Sequence, residues 1–125
     1  MKFELKYGIT FISAIFKHGD KEILIDNIVI DTGSGGTILS TEIAFELGLE
    51  AEQNGTLHRI RGVGGTEFVY EKAIDSIQLG NVEVCNFQIQ IGAMNYGFGI
   101  NAILGMNFLN AGKLLIDCGN LEIRQ

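Results

Sequence analysis

The chain has 125 residues, 46% of them hydrophobic, enough for one domain with a substantial core and too few for two. Its net charge of −6 argues against nucleic acid as a partner, because phosphate binding needs a basic surface. No apolar run is long enough to span a membrane, and the opening Met1-Lys2-Phe3-Glu4-Leu5-Lys6 alternates like a strand and not like a signal peptide, so a cytoplasmic protein is the default expectation.

The first part reads as a β-meander. Phe3 to Phe16 alternates, His18-Gly19-Asp20 turns the chain, and Lys21 to Asp31 is the next strand pair or one bent strand. The apolar run Ile28-Val29-Ile30 delivers Asp31 into a flexible turn, Gly33-Ser34-Gly35-Gly36. Thr41 to Gly48 predicts a short helix, capped by Ser40 or Thr41 and ended by Gly48. Thr56 to Arg61 and Thr66 to Ile77 predict two strands joined by Gly62-Val63-Gly64-Gly65. After Leu79-Gly80-Asn81, the stretch Val82 to Ile91 alternates with one slip near Cys85. Ile103-Leu104-Gly105 leads into a second short helix, Met106 to Asn110, stopped by Gly112; Lys113 to Cys118 and Leu121 to Arg124 close the chain as strands. The glycines punctuate strands, with no linker or internal repeat, and residues 1–125 are expected to form a single, mainly β domain.

Chemistry concentrates at Asp31. A carboxylate at the tip of an apolar strand is penalised by burial unless it is hydrogen-bonded or its pKa shifts, so the position is a candidate for acid–base work. The plain alternative is a solvated carboxylate in a surface turn. Asp117-Cys118-Gly119 offers a second Asp-X-Gly, but only six residues follow it, and Asp117 reads as a surface residue of a closing turn. Cys85 and Cys118 support no disulfide framework and, in apolar surroundings, read as small buried thiols. His18 and His58 are isolated, and no spacing suggests a metal site. Gly97-Phe98-Gly99-Ile100-Asn101-Ala102 fits a dinucleotide fingerprint in letters, but it lacks the preceding strand and the alternation of strands and helices that the fingerprint requires.

Three segments in order resemble the single-domain, retroviral-type aspartic proteases (retropepsins). They are Asp31-Thr32-Gly33-Ser34 followed by Thr37-Ile38-Leu39, the glycine-rich hairpin Ile60-Arg61-Gly62-Val63-Gly64-Gly65, and Ile103-Leu104-Gly105 followed by Asn107. The resemblance covers about residues 22–118. It implies a retropepsin-like barrel with a flap hairpin and one or two short helices, and an aspartic endopeptidase without cofactor that hydrolyses peptide or protein substrates as a homodimer. Asp31, Thr32 and Gly33 would form the catalytic loop. Ser34, Ile38, Ile60, Gly62, Val63, Gly64 and Ile103 would line the cleft or close over the substrate. One chain supplies one such loop, so the second carboxylate would come from a symmetric partner.

The chain also departs from the family. Where retropepsins often pair an Asp with an Arg near the dimer seam, this chain has Gly35 and Met106, which puts dimer strength in question and motivates the alternative of a catalytically weak peptide-binding or dimerisation module. Arg61 stands where the viral flap usually has Gly. Ser34, as in pepsin-type spellings, would favour the ionised Asp31 if its hydroxyl lies beside the carboxylate. Whether the terminal strands, Met1 to Lys6 and Leu121 to Gln125, form the dimer sheet as in the viral relatives stays open.

Overall fold

A computed structural model describes residues 1–49, 57–62, 65–94 and 99–125, with backbone alone for 57–62 and 65–69. The elements in chain order are β1 (Glu4–Lys6), β2 (Ile9–His18), β3 (Lys21–Ile30), β4 (Ile38–Ser40), α1 (Thr41–Glu46), β5 (Leu57–Gly62), β6 (Gly65–Leu79), β7 (Val82–Gly92), β8 (Ala102–Leu104), α2 (Met106–Ala111), β9 (Leu115–Asp117) and β10 (Glu122–Arg124). The expected mainly β architecture with two short helices is present.

The sheet runs β1-β2-β3-β8-β4-β7-β6-β5, and a further pairing of β2 with β6 closes its six middle strands into a barrel. The closing register is Ile15↔Gln78, Phe16↔Ile77 and Lys17↔Ser76. Closure removes the unpaired edges of those strands. Phe16, Ile28, Leu39, Ile74, Ile77, Ile89, Leu104 and Phe108 are fully buried, each contributing about 1.5–3 kcal/mol of apolar burial. Phe108 anchors α2 through an edge-to-face contact with Phe87 at 5.7 Å.

Several local expectations change. The alternation of Phe3 to Phe16 hides a hairpin. Tyr7 and Gly8 both have positive φ (56° and 75°), the signature of a two-residue primed turn, and Lys6 pairs with Ile9 across it. Of the two readings for Lys21 to Asp31, the single bent strand holds, as Lys21–Ile30, its bend marked by a register shift opposite Ile12/Ala14 and by Asn27 at φ 53°. The slip near Cys85 falls at Asn86, φ 52°, where the inward apolar positions change phase between Val84 and Phe87. That phase change leaves Cys85 exposed, and Cys118 is exposed in the β9–β10 turn, so neither thiol is buried as expected. Ile38–Ser40 forms a three-residue strand that its glycine-rich approach conceals.

Ser40 caps α1, its Oγ accepting from Ile43 N at 3.3 Å, and Gly48 ends the helical segment at φ 83°. β5 and β6 form the expected hairpin, paired from Leu57↔Tyr70 to Gly62↔Gly65. Asp117 ends β9 just before the closing turn, its carboxylate accepting from Asn120 N at 3.0 Å and Asn120 Nδ2 at 2.9 Å.

Candidate active site

The site is built where β8 runs between β3 and β4. β3 pairs parallel with β8 (Ile28↔Ala102, Val29↔Ile103, Ile30↔Leu104), and β4 pairs antiparallel with it (Ile38↔Ile103, Leu39↔Ala102). The segment 31–37 must therefore cross over the end of β8 to connect two strands that β8 separates. Asp31 is the first residue of that crossing. Its N–H donates to Leu104 O at 3.0 Å, extending the β3–β8 ladder by one step. Thr10 Oγ1 donates to Ile30 O at 3.0 Å, holding the end of β3 from the other side. The sequence carries no signal for this role of Thr10, which reads there as an ordinary polar position of an alternating strand.

The crossing is tight. Gly33 N donates to Asp31 Oδ1 at 2.9 Å, and Ser34 N donates to Asp31 O at 3.2 Å. The carboxylate is thus oriented by its own loop while Asp31 remains half-buried. Ser34 Oγ donates to Gly36 O at 2.8 Å. Its one hydroxyl hydrogen is committed to that carbonyl, so, against expectation, it does not donate to the Asp31 carboxylate; the loop donor to that carboxylate is Gly33 N.

Beneath the loop lies the segment entering α2. A Cβ on Gly105 would stand 2.1 Å from Gly36 O and 2.7 Å from Ser34 O, so only glycine permits this approach. Met106 N donates to Ser34 O at 2.7 Å. Thr37, fully buried, donates through Oγ1 to Asn107 Oδ1 at 2.8 Å and accepts from Gly105 N at 3.2 Å. Asn107 Oδ1 also accepts from Phe108 N at 2.8 Å. The loop therefore rests on a polar network in which Thr37, Gly105 and Asn107, three letters of the recognised motifs, are physically joined.

Of the candidate residues, Asp31, Thr32, Gly33 and Ser34 are brought together in one loop, with Thr32 and Gly33 exposed. Ile38 and Ile103 are paired neighbours on β4 and β8. Ile60 and Gly62 lie on the backbone of β5, and Val63 and Gly64 lie outside the described residues. Gly35 is exposed, and Met106 is 43% exposed beside the loop. Asp117 is held in its own turn by Asn120, which keeps its carboxyl below the usual range.

Comparison with solved structures shows the fold class. The chain is similar to a retropepsin-like aspartic protease from Rickettsia conorii, with TM-score 0.70 and 21% identity over 99% of this chain and 97% of that one. It is also similar to the retroviral protease-like domain of Ddi1 from Leishmania major, with TM-score 0.66 and 16% identity over 95% and 89% of the two chains. The barrel is thus a retropepsin-like fold. No curated protein matches the chain. Residues 26–111, more than half of the chain, with the Asp31 loop and the Thr37–Gly105–Asn107 network beneath it, match the family described as gag-polyprotein putative aspartyl protease, and the chain belongs to that family.

Proposed function

We propose that this single-domain chain is an aspartic endopeptidase active as a homodimer, with one Asp31 from each copy forming the catalytic pair. The observation that carries the reading is the placement of Asp31. It stands at the first step of a glycine-rich crossing over β8, oriented by Gly33 N and supported from below by the Thr37–Gly105–Asn107 network. Family membership and the retropepsin-like fold support the same chemistry.

Two carboxylates at close range cannot both ionise, so the pair holds one proton between them. The ionised Asp31 takes a proton from a water. The resulting hydroxide attacks the scissile carbonyl carbon while the protonated partner gives its proton to the carbonyl oxygen. Proton transfer to the amide nitrogen then lets the C–N bond break. Thr32 braces the two loops across the axis, and Gly33 offers backbone contacts to the substrate. Ser34, Ile38, Ile60 and Ile103 line the cleft, while Gly62, Val63 and Gly64 close over an extended peptide that pairs as an added strand. A cytoplasmic location fits this reading.

The test is cleavage of a diverse peptide mixture, read by mass spectrometry, by wild type and Asp31→Asn across mildly acid to neutral pH at high protein concentration. Cleavage by wild type alone is expected. Cleavage that persists in Asp31→Asn overturns the assignment, and silence from both transfers the reading to a peptide-binding or dimerisation module.

A further inference from the structure

The strands beside the Asp31 loop are in register across one face of the sheet. Ile103 on β8 lies opposite Ile38 on β4, Ile38 opposite Gln90 on β7, and Gln90 opposite Glu71 on β6. Residues paired in this way project their side chains to the same face. Their chain neighbours Ala102, Leu39 and Ile91 are fully buried in the main core cluster, to which Ile38 and Ile103 do not belong. The row Ile103–Ile38–Gln90 therefore stands on the face turned away from the barrel interior. It starts from the two isoleucines assigned above to the cleft and leads to a carboxamide.

Gln90 sits against the Asp31 loop. A Cβ on Gly36 would stand 2.6 Å from Gln90 Oε1, so the carboxamide fills the space that a side chain at position 36 would take. Gln90 N donates to Thr37 O at 2.8 Å, which ties the strand to the loop and leaves the side chain out of that bond. Gln90 is half-buried, and its carboxamide has no hydrogen-bond partner among the described residues. A peptide laid along the cleft covers it. An apolar substrate side chain then leaves the carboxamide desolvated and unpaired, which is costly. A substrate carboxamide returns both a donor and an acceptor. An acidic side chain meets a chain of net charge −6 and, next in the row, Glu71, whose carboxylate accepts from Gln88 Nε2.

We propose that Gln90 is a specificity-determining residue, and that the cleft beside Ile38 and Ile103 selects peptides with an asparagine or glutamine side chain at the position that meets it. The inference rests on the endopeptidase reading and adds to it the chemistry of one substrate side chain. The stem of that side chain lies on the two isoleucines, and its head pairs with the Gln90 carboxamide above Gly36.

A randomised peptide library tests this, with wild type, Gln90→Leu and Gln90→Glu compared by sequencing the products. Wild type is expected to favour Asn or Gln over Leu by about tenfold at one fixed distance from the scissile bond, the worth of one or two hydrogen bonds. Gln90→Leu is expected to turn that preference to aliphatic side chains, and Gln90→Glu to Lys and Arg. Preferences that are the same in all three proteins overturn the proposal. The same library, captured by Asp31→Asn and by Asp31→Asn with Gln90→Leu, reads binding without cleavage. If wild type cuts nothing while Asp31→Asn still enriches Asn and Gln and the double variant does not, the subsite stands and the endopeptidase reading falls. If Asp31→Asn enriches neither residue, or captures no peptide, the subsite falls with it.

Discussion

Gly105→Ala removes the one residue type that lets the α2 entry lie under the Asp31 loop. The added Cβ would stand 2.1 Å from Gly36 O, whereas ordinary contact begins at 3.4 Å, so the carbonyl must retreat by roughly 1.3 Å, the difference between the two. The obstructing atoms are backbone, and no rotamer relieves them. Retreat strains two hydrogen bonds directly, Ser34 Oγ to Gly36 O and Met106 N to Ser34 O. At about 1 kcal/mol for each bond, plus about 1–3 kcal/mol for overpacking, the expected loss is about 3–5 kcal/mol. For a domain of this size that corresponds to a fall in Tm of more than about 10 °C. Thermal unfolding followed by circular dichroism, with urea midpoints as a second measure, reads it directly. A Tm within about 2 °C of wild type refutes the reasoning, because the loop would then have absorbed a methyl group without resting on Gly105.

Thr37→Val removes the hydroxyl that joins Gly105 N to Asn107 Oδ1 and leaves the Gly105 N–H without that acceptor. It is expected to cost about 1–3 kcal/mol in urea unfolding, while Thr37→Ser, which keeps the hydroxyl, loses less. Asp31→Asn retains an oxygen to accept from Gly33 N and is expected to unfold within a few tenths of a kcal/mol of wild type, on the order of other conservative changes near the surface, while cleavage is abolished. Asp117 titrates below its ordinary 3.8, chiefly because Asn120 donates to its carboxylate from side chain and backbone. Between the lowered folded value and 3.8 the folded state binds fewer protons than the unfolded, so this contribution is complete above 3.8 and disappears as pH falls through the folded value. Asn120→Ala is expected to move the Asp117 titration, followed by carboxyl carbon NMR, upward towards its ordinary value; an unchanged titration contradicts the cause given.

The part of the site that is legible in sequence is the part with demanding backbone chemistry. Asp31 at the end of Ile28-Val29-Ile30, the glycines after it, and Gly105 after two apolar residues all mark where the chain must turn or approach closely. What the letters do not carry is which atoms meet. Gly105 reads as a helix boundary, and only the position of Gly36 O explains why it must be glycine. Ser34 reads as a neighbour of the carboxylate, and only the turn geometry sends its hydroxyl to Gly36. β4 escapes because three residues are too few to show a period. The Tyr7-Gly8 hairpin escapes because alternation continues on both sides of the turn, and Lys6↔Ile9 pairing is a non-adjacent fact. Thr10 supports the end of β3 from an adjacent strand, a relation that no spacing along the chain encodes.

The shared catalytic pair is tested most directly by mixing wild type with Asp31→Asn at fixed total concentration, allowing chains to exchange, and measuring cleavage of a peptide identified in the mixture assay. If each site takes one Asp31 from each copy, a mixed dimer is inactive, and activity falls as the square of the wild-type fraction. Activity that falls in simple proportion to the wild-type fraction contradicts the account, since each chain would then carry a complete site of its own.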